Sequence, residues 1–166
     1  MEIRHFGARV FLYDPVTAAF LLVRHRRHGF WVEPGGHVDG NERPDGAAVR
    51  EVREETGMEV QLIGASLPKF PSDCEDFLTQ PLAIRNCPIA PGHVHMDFIY
   101  AGIPVGGSLN FSERKPEDVG WFPLEEIVRE SFLAPANVRL WCRYCAQHVL
   151  LYLQSPLDRK NRDDGK

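Results

Sequence analysis

The chain has 166 residues, 43% hydrophobic and 25% charged, with a formal net charge of −4. That size suits one domain with its own core rather than two, and the acidic balance argues against a dedicated nucleic-acid binder, though a local basic patch would suffice for a nucleotide. No apolar run approaches the roughly 18 residues that span a bilayer, and "MEIRHFGARVFLYD" lacks the apolar core and cleavage site of a signal peptide, so a cytoplasmic protein without a membrane partner is expected.

In chain order, "FGARVFLYDP" and "AAFLLVRHRR" are apolar runs joined by the turn signal "DPVT" and read as a hairpin of two strands. "GFWVEPGGHVDGNERPDG" is rich in glycine and proline and reads as an ordered loop. "PDGAAVREVREETG" reads as a helix, with Pro44 in its first turn and Gly57 just past its end. "MEVQLIGASLPKF" is mostly a strand. "FLTQPLAIRN" and "HVHMDFIYAGIPV" read as two further strands around "CPIAPG", with Pro81 marking an edge or an interruption. "SLNFSERKPEDVGWF" reads as a loop ending at an apolar anchor. "PLEEIVRES" reads as a short helix, and "ANVRLWCRYCAQHVLLYLQ" as a longer one with Val138, Leu140, Trp141, Cys145, Val149 and Tyr152 among its apolar positions. Residues 1–154 therefore form one mixed α/β domain, and the charged tail 155–166 is expected to be disordered.

Of the four cysteines Cys74, Cys87, Cys142 and Cys145, the last two have C-x-x-C spacing. They lie within an apolar-periodic stretch, with no second C-x-x-C and no zinc-finger histidine pair, so a buried helix is favoured over a redox or zinc site.

The helix at 44–56 raises a different question. At about 100° per residue, Glu55 falls near 40° and Glu54 near −60° from Glu51, while Val49, Val52 and Thr56 fall on another side. Three carboxylates thus converge on one face, where they repel unless solvated, paired or bridged by cations. Arg50, four residues before Glu54, is spaced to hold that carboxylate. Hard divalent cations such as Mg2+ or Mn2+ take oxygen ligands of this kind.

The spacing is specific. Gly36, five residues, Glu42, seven residues and then "REVREETGM" reproduce G-x5-E-x7-R-E-U-x-E-E-x-G-U, with Val52 and Met58 at the bulky aliphatic positions U. The chain resembles a Nudix hydrolase of the MutT-like kind. The lead-in Trp31, Pro34, Gly35 and Gly36 and the later "EDVGWFPLEEI" extend the resemblance. It implies an α/β/α sandwich around a mixed β-sheet. It implies Mg2+-dependent (or Mn2+-dependent) water attack on a nucleoside diphosphate linked to another group, of the nucleoside triphosphate or nucleotide-sugar type. It puts the metal on Glu51, Glu54, Glu55 and the carbonyl of Gly35, with Arg50 and Glu42 as supports. A glutamate of the later loop serves some members as general base, and Glu117 is preferred here over Glu113.

Substrate contacts are expected from Arg24 and Arg26 in "VRHRRHGFW", from Trp31 as a stacking platform or a core anchor, and from His37. In "HVHMD", His93, His95 and Asp97 share one strand face, lining the cleft or lying exposed; a zinc site on this triplet is the disfavoured third reading. Glu33, in "WVEPGG", contacts substrate or faces solvent. The markers of ADP-ribose and diadenosine-polyphosphate hydrolases are absent, since Cys74 and Asp76 stand where proline and tyrosine would. A non-catalytic nucleotide-binding regulator is the main alternative, disfavoured by the intact box. Isopentenyl-diphosphate isomerase chemistry is a third. A homodimer is possible.

Overall fold

The computed structural model describes residues 3–64, 77–110 and 114–155. Cys74, Asp76, Glu113 and residues 156–166 of the expected tail lie outside them. Within the described residues one mixed sheet contains β1 (Ile3–Asp14), β2 (Ala19–Arg24), β3 (Trp31–Val32), β4 (Gly35–His37), β5 (Met58–Ile63), β6 (Ala83–Ala90), β7 (His93–Gly107) and β8 (Val119–Pro123). The helices are α1 (Pro44–Thr56), α2 (Leu124–Ile127) and α3 (Ala136–Gln154).

The centre of the sheet is the parallel pair β1–β7, in unbroken register from Ile3 beside His93 to Leu12 beside Gly102. Each of the two strands serves two antiparallel partners on its other edge. β1 pairs with β4 through residues 7–9 and with β2 through 12–14. β7 pairs with β6 toward its start and with β5 toward its end. The turn after β1 is held by Asp14, whose carboxylate accepts from the Val16 amide at 2.9 Å and the Thr17 hydroxyl at 2.7 Å.

Alternation along the strands builds two cores. Phe11, Tyr13, Phe20, Leu22, Ile99 and Ala101 face α2 and α3, where Ile127, Val138, Cys142, Cys145 and Val149 meet them. Ala8, Val10, Leu12, Leu21, Val23 and Tyr100 face α1 and meet Ala47, Ala48 and Val52. The expected sandwich of helices on both faces of a mixed sheet is therefore present.

Four local expectations are corrected. The loop at 29–46 contains β3 and β4, too short to announce themselves by periodicity. "VGWFP" is not an anchor at a loop's end but β8, paired with β2 from Val119 beside Val23 to Pro123 beside Ala19. β6 continues through "CPIA", and the turn shrinks to Pro91–Gly92. Pro88 is tolerated there because β6 pairs only with β7 among the described strands, so a missing amide costs the sheet little. On the helices, Val49 and Leu140 are exposed, while Cys142 and Ala146 join the α3 core. Cys142 and Cys145 are free thiols, buried, with their ionisation pushed far up by that burial. C-x-x-C here is packing.

Leu22 is fully buried in the core under α3. Leu22→Ala is expected to cost about 2–5 kcal/mol, read as a lower denaturant midpoint with an unchanged slope.

Candidate active site

α1 starts with Pro44 in its first turn and ends at Gly57, whose φ of 76° is left-handed and whose amide reaches the Arg53 carbonyl at 2.8 Å. Its buried side carries Ala47, Ala48, Val52 and Thr56. This packing turns the glutamate face toward β4. The approach is close. A Cβ at Gly36 would fall onto the Glu51 carboxylate, and one at Gly35, where φ is 150°, would fall onto the Ala8 carbonyl.

Arg50 organises the carboxylates. It reaches both oxygens of Glu42 at 2.9 Å, Glu51 at 2.9 Å, Glu54 at 2.8 Å and the His37 carbonyl at 3.0 Å. These bonds pull the Glu42 carboxyl below the usual range and raise Arg50. Glu51 goes the other way. Burial pushes its protonation up, the Arg50 hydrogen bond opposes this, and the charges of Glu55 and Glu54 add to the rise. Glu55 is buried, accepts the Gly35 amide at 3.0 Å and is paired with Arg114. The Gly35 carbonyl accepts from Arg9 at 3.0 Å.

Glu51 and Glu55 line a cleft of about 450 Å³ with Arg9, His25, Arg26, Glu33, Gly35, Gly36, His37 and Arg114. Glu54 lies on the other shoulder of α1, in a wider concavity of about 1220 Å³ with Arg53, Glu59, Gln61 and Asn110. Carboxylate oxygens and a backbone carbonyl are hard donors. Together with a Glu51 whose anionic form is disfavoured first by burial and then by the charges of Glu55 and Glu54, they fit a hard divalent cation.

The NUDIX domain family matches residues 3–142. The chain belongs to the Nudix family. A Nudix hydrolase structure from Clostridium perfringens is similar at TM-score 0.71 and 24% identity, covering 89% of this chain and 99% of that one. An ADP-ribose pyrophosphatase from Streptococcus suis is similar at TM-score 0.59 and 18% identity, over 92% and 93% of the two chains. Diphosphoinositol polyphosphate phosphohydrolase 3-alpha of Mus musculus is 56% identical over 43 residues, which is 25% of this chain and 26% of that protein, so the curated relative is matched over only about a quarter of its length.

Around the Nudix box, the other sequence-derived candidates are distributed unequally. His37 and Arg26 line the cleft. Arg24 instead braces its own turn, donating to the Gly29 carbonyl at 3.0 Å and facing Asp118 at 4.0 Å. Trp31 packs on the core with its ring 4.6 Å from Phe122, which makes it an anchor and not a free stacking surface. Glu117 is exposed in the 3-10 turn Pro116–Asp118 and lines neither concavity. Asp97 is 1% exposed and engaged by Arg85 at 2.8 Å and Arg9 at 3.8 Å. Glu33 neither faces solvent nor stands free. It is 4% exposed and 3.6 Å from Arg85, with burial raising its protonation. His95 is buried beside His37, and burial lowers both imidazoles.

Arg9 and Arg114 escaped the sequence reading. Arg9 carried a signal, a charge between the fully buried Ala8 and Val10. Arg114 lies in a charged loop where nothing distinguishes it from Lys115.

In this Nudix site Gly36→Ala places a methyl group where the Glu51 carboxylate lies. A displaced carboxylate is expected to lower kcat/KM about a hundredfold, with a stability loss of about 1–3 kcal/mol. Steady-state kinetics with thermal melting of the same variant check both.

Proposed function

We propose that this chain is a divalent-metal-dependent pyrophosphohydrolase that cleaves the phosphoric anhydride of a nucleoside diphosphate joined to another group. The observation that carries the reading is the convergence of Glu51 and Glu55 on the Gly35–Gly36 backbone, with Arg50 spanning Glu51, Glu54 and Glu42. Glu51, Glu54 and Glu55 would hold Mg2+ or Mn2+, with the free lone pair of the Gly35 carbonyl as a further donor. Bound there, the ion supplies charge neutralisation of the diphosphate and acidifies attacking water.

The chain's own residues do the rest. Arg50 fixes the carboxylates against their mutual repulsion. Arg9 and Arg26, with His25 and His37, give the cleft a basic wall for phosphate oxygens. The candidates for accepting the proton of attacking water are Glu54 and Glu117; neither lines the cleft, and the Arg50 nitrogen that Glu54 shares with Glu51 favours Glu54. No Trp, Tyr or Phe lines this cleft among the described residues, so it suits the diphosphate rather than a stacked base. The similarity to structures described as UDP-X diphosphatase and ADP-ribose pyrophosphatase supports a nucleotide-linked diphosphate as substrate class. The intact box favours catalysis over the regulator reading. No described helix is long and apolar enough to cross a membrane, and we place the enzyme in the cytoplasm on the free thiols of Cys87, Cys142 and Cys145.

A panel of nucleoside triphosphates, nucleotide sugars and ADP-ribose with Mg2+, scored for phosphate-containing products, tests the reading. On the best substrate, Glu51→Gln and Glu54→Gln are each expected to lower kcat at least about a hundredfold while the melting curve stays cooperative. Chelation is expected to abolish turnover and added Mg2+ to restore it. Wild-type rates in both variants, or turnover in excess chelator, would reject the carboxylate site.

A further inference from the structure

The face of the sheet that is apolar under α3 changes character toward the start of β1 and β7. Beyond Phe11 and Ile99, the same alternation presents Arg9, His5, Asp97, His95 and His93. The parallel register sets His5 directly beside His95, and the period of two brings His93 next to both. His37, on β4 opposite Gly7, closes the group from the other edge.

The rings crowd together. The centroid of His5 lies 4.9 Å from that of His93 and 5.7 Å from that of His95, and His95 lies 4.9 Å from His93 and 4.8 Å from His37. Ligating nitrogens of His5, His93 and His95 all fall within 4.8 Å of one another. His93 Nε2 and His5 Nδ1 are 3.2 Å apart. Two nitrogens bound to one tetrahedral ion at 2.0–2.1 Å stand about 3.3 Å apart. His95 is 7% exposed, yet neither of its ring nitrogens has a hydrogen-bond partner. A buried polar ring left without partners calls for an ion or water. Asp97, which shares this face, accepts from Arg85 through Oδ2 and stands outside the 4.8 Å group of ligating atoms. Cys87, opposite His95 on β6, stands outside the 4.8 Å group, so the donors are all nitrogen.

We propose that His5, His93 and His95 form a binding site for a borderline-soft divalent ion, Zn2+, chemically separate from the box carboxylates. Three imidazoles leave a fourth position open. His37 lines the cleft and touches the histidine group, so an ion here lies next to the phosphate-binding wall. Imidazole nitrogens select Zn2+ over Mg2+, whereas the box oxygens suit Mg2+. One chain thereby distinguishes two ions by donor atom, whatever reaction the box performs.

The test uses the full chain stripped of metal and titrated with Zn2+ against a chromophoric chelator, with Mg2+ in excess throughout. One Zn2+ per chain is expected to bind without displacement by Mg2+. His5→Ala and His95→Ala are each expected to weaken it at least about tenfold, and Glu51→Gln with Glu54→Gln to leave it unchanged. Co2+ in place of Zn2+ is expected to give the intense visible absorption of a tetrahedral site, lost in His5→Ala. His5 is exposed at the sheet's end, so that variant decides the matter even if His95→Ala unfolds. Zn2+ affinity unchanged in His5→Ala and His93→Ala, affinity lost with the carboxylates instead, or no binding at micromolar Zn2+ would each overturn the proposal.

Discussion

Helix α1 approaches strand β4 so closely that the strand has no room for a side chain at Gly36. Gly36 leaves the volume that the Glu51 carboxylate fills, and the Gly35 amide donates straight into Glu55. The rest of the site follows from this contact. The helix can come so near only because its opposite side offers Ala47, Ala48 and Val52 to the sheet, small enough to seat it against Ala8, Val10 and Tyr100. The price is a crowd of carboxylates at short range, which Arg50 and Arg114 offset from two directions. Each arginine carries several bonds at once, and the guanidinium's fixed fork of donors makes that possible in a way a lysine ammonium could not.

Behind the glycines lies a second layer of charge. Arg9 spans from the Gly35 carbonyl to Asp97, and Arg85 joins Asp97 to Glu33. Buried ions of this sort contribute little net stability, since desolvation opposes their attraction. Their effect here is positional. The network ties the backbone of β4 to β7 and β6, so the glycine turn facing α1 is held from behind.

Much of this was legible in the sequence, and the reasons differ by element. The helix 44–56 was readable because Pro44, Gly57 and the glutamate spacing agree on it, and the box spacing also named the carboxylates that gather. The two long strands were readable from their apolar runs. β3, β4 and β8 were not, because two to five residues cannot display a period and their pairing is decided by β1 and β2. Glu33 could be read as a surface charge because its partner Arg85 stands 52 positions away in sequence. His5 had no signal of its own. It acquired one only when the parallel register set it beside His95.

That register has a consequence for how the chain acquires its shape. The central ladder joins residues 3–12 to residues 93–102, so some ninety residues must be looped before it can close. α1 and both box glycines lie inside that loop. Long-range parallel pairing is entropically costly and slow compared with local contacts. During synthesis the acidic helix therefore leaves the ribosome well before the strand that completes its seat; Arg50 emerges with Glu51 and Glu54, but Glu55 waits in water for Arg114. Assembly of the site is then a late event, coupled to the closing of the sheet's centre rather than to formation of the helix that carries it.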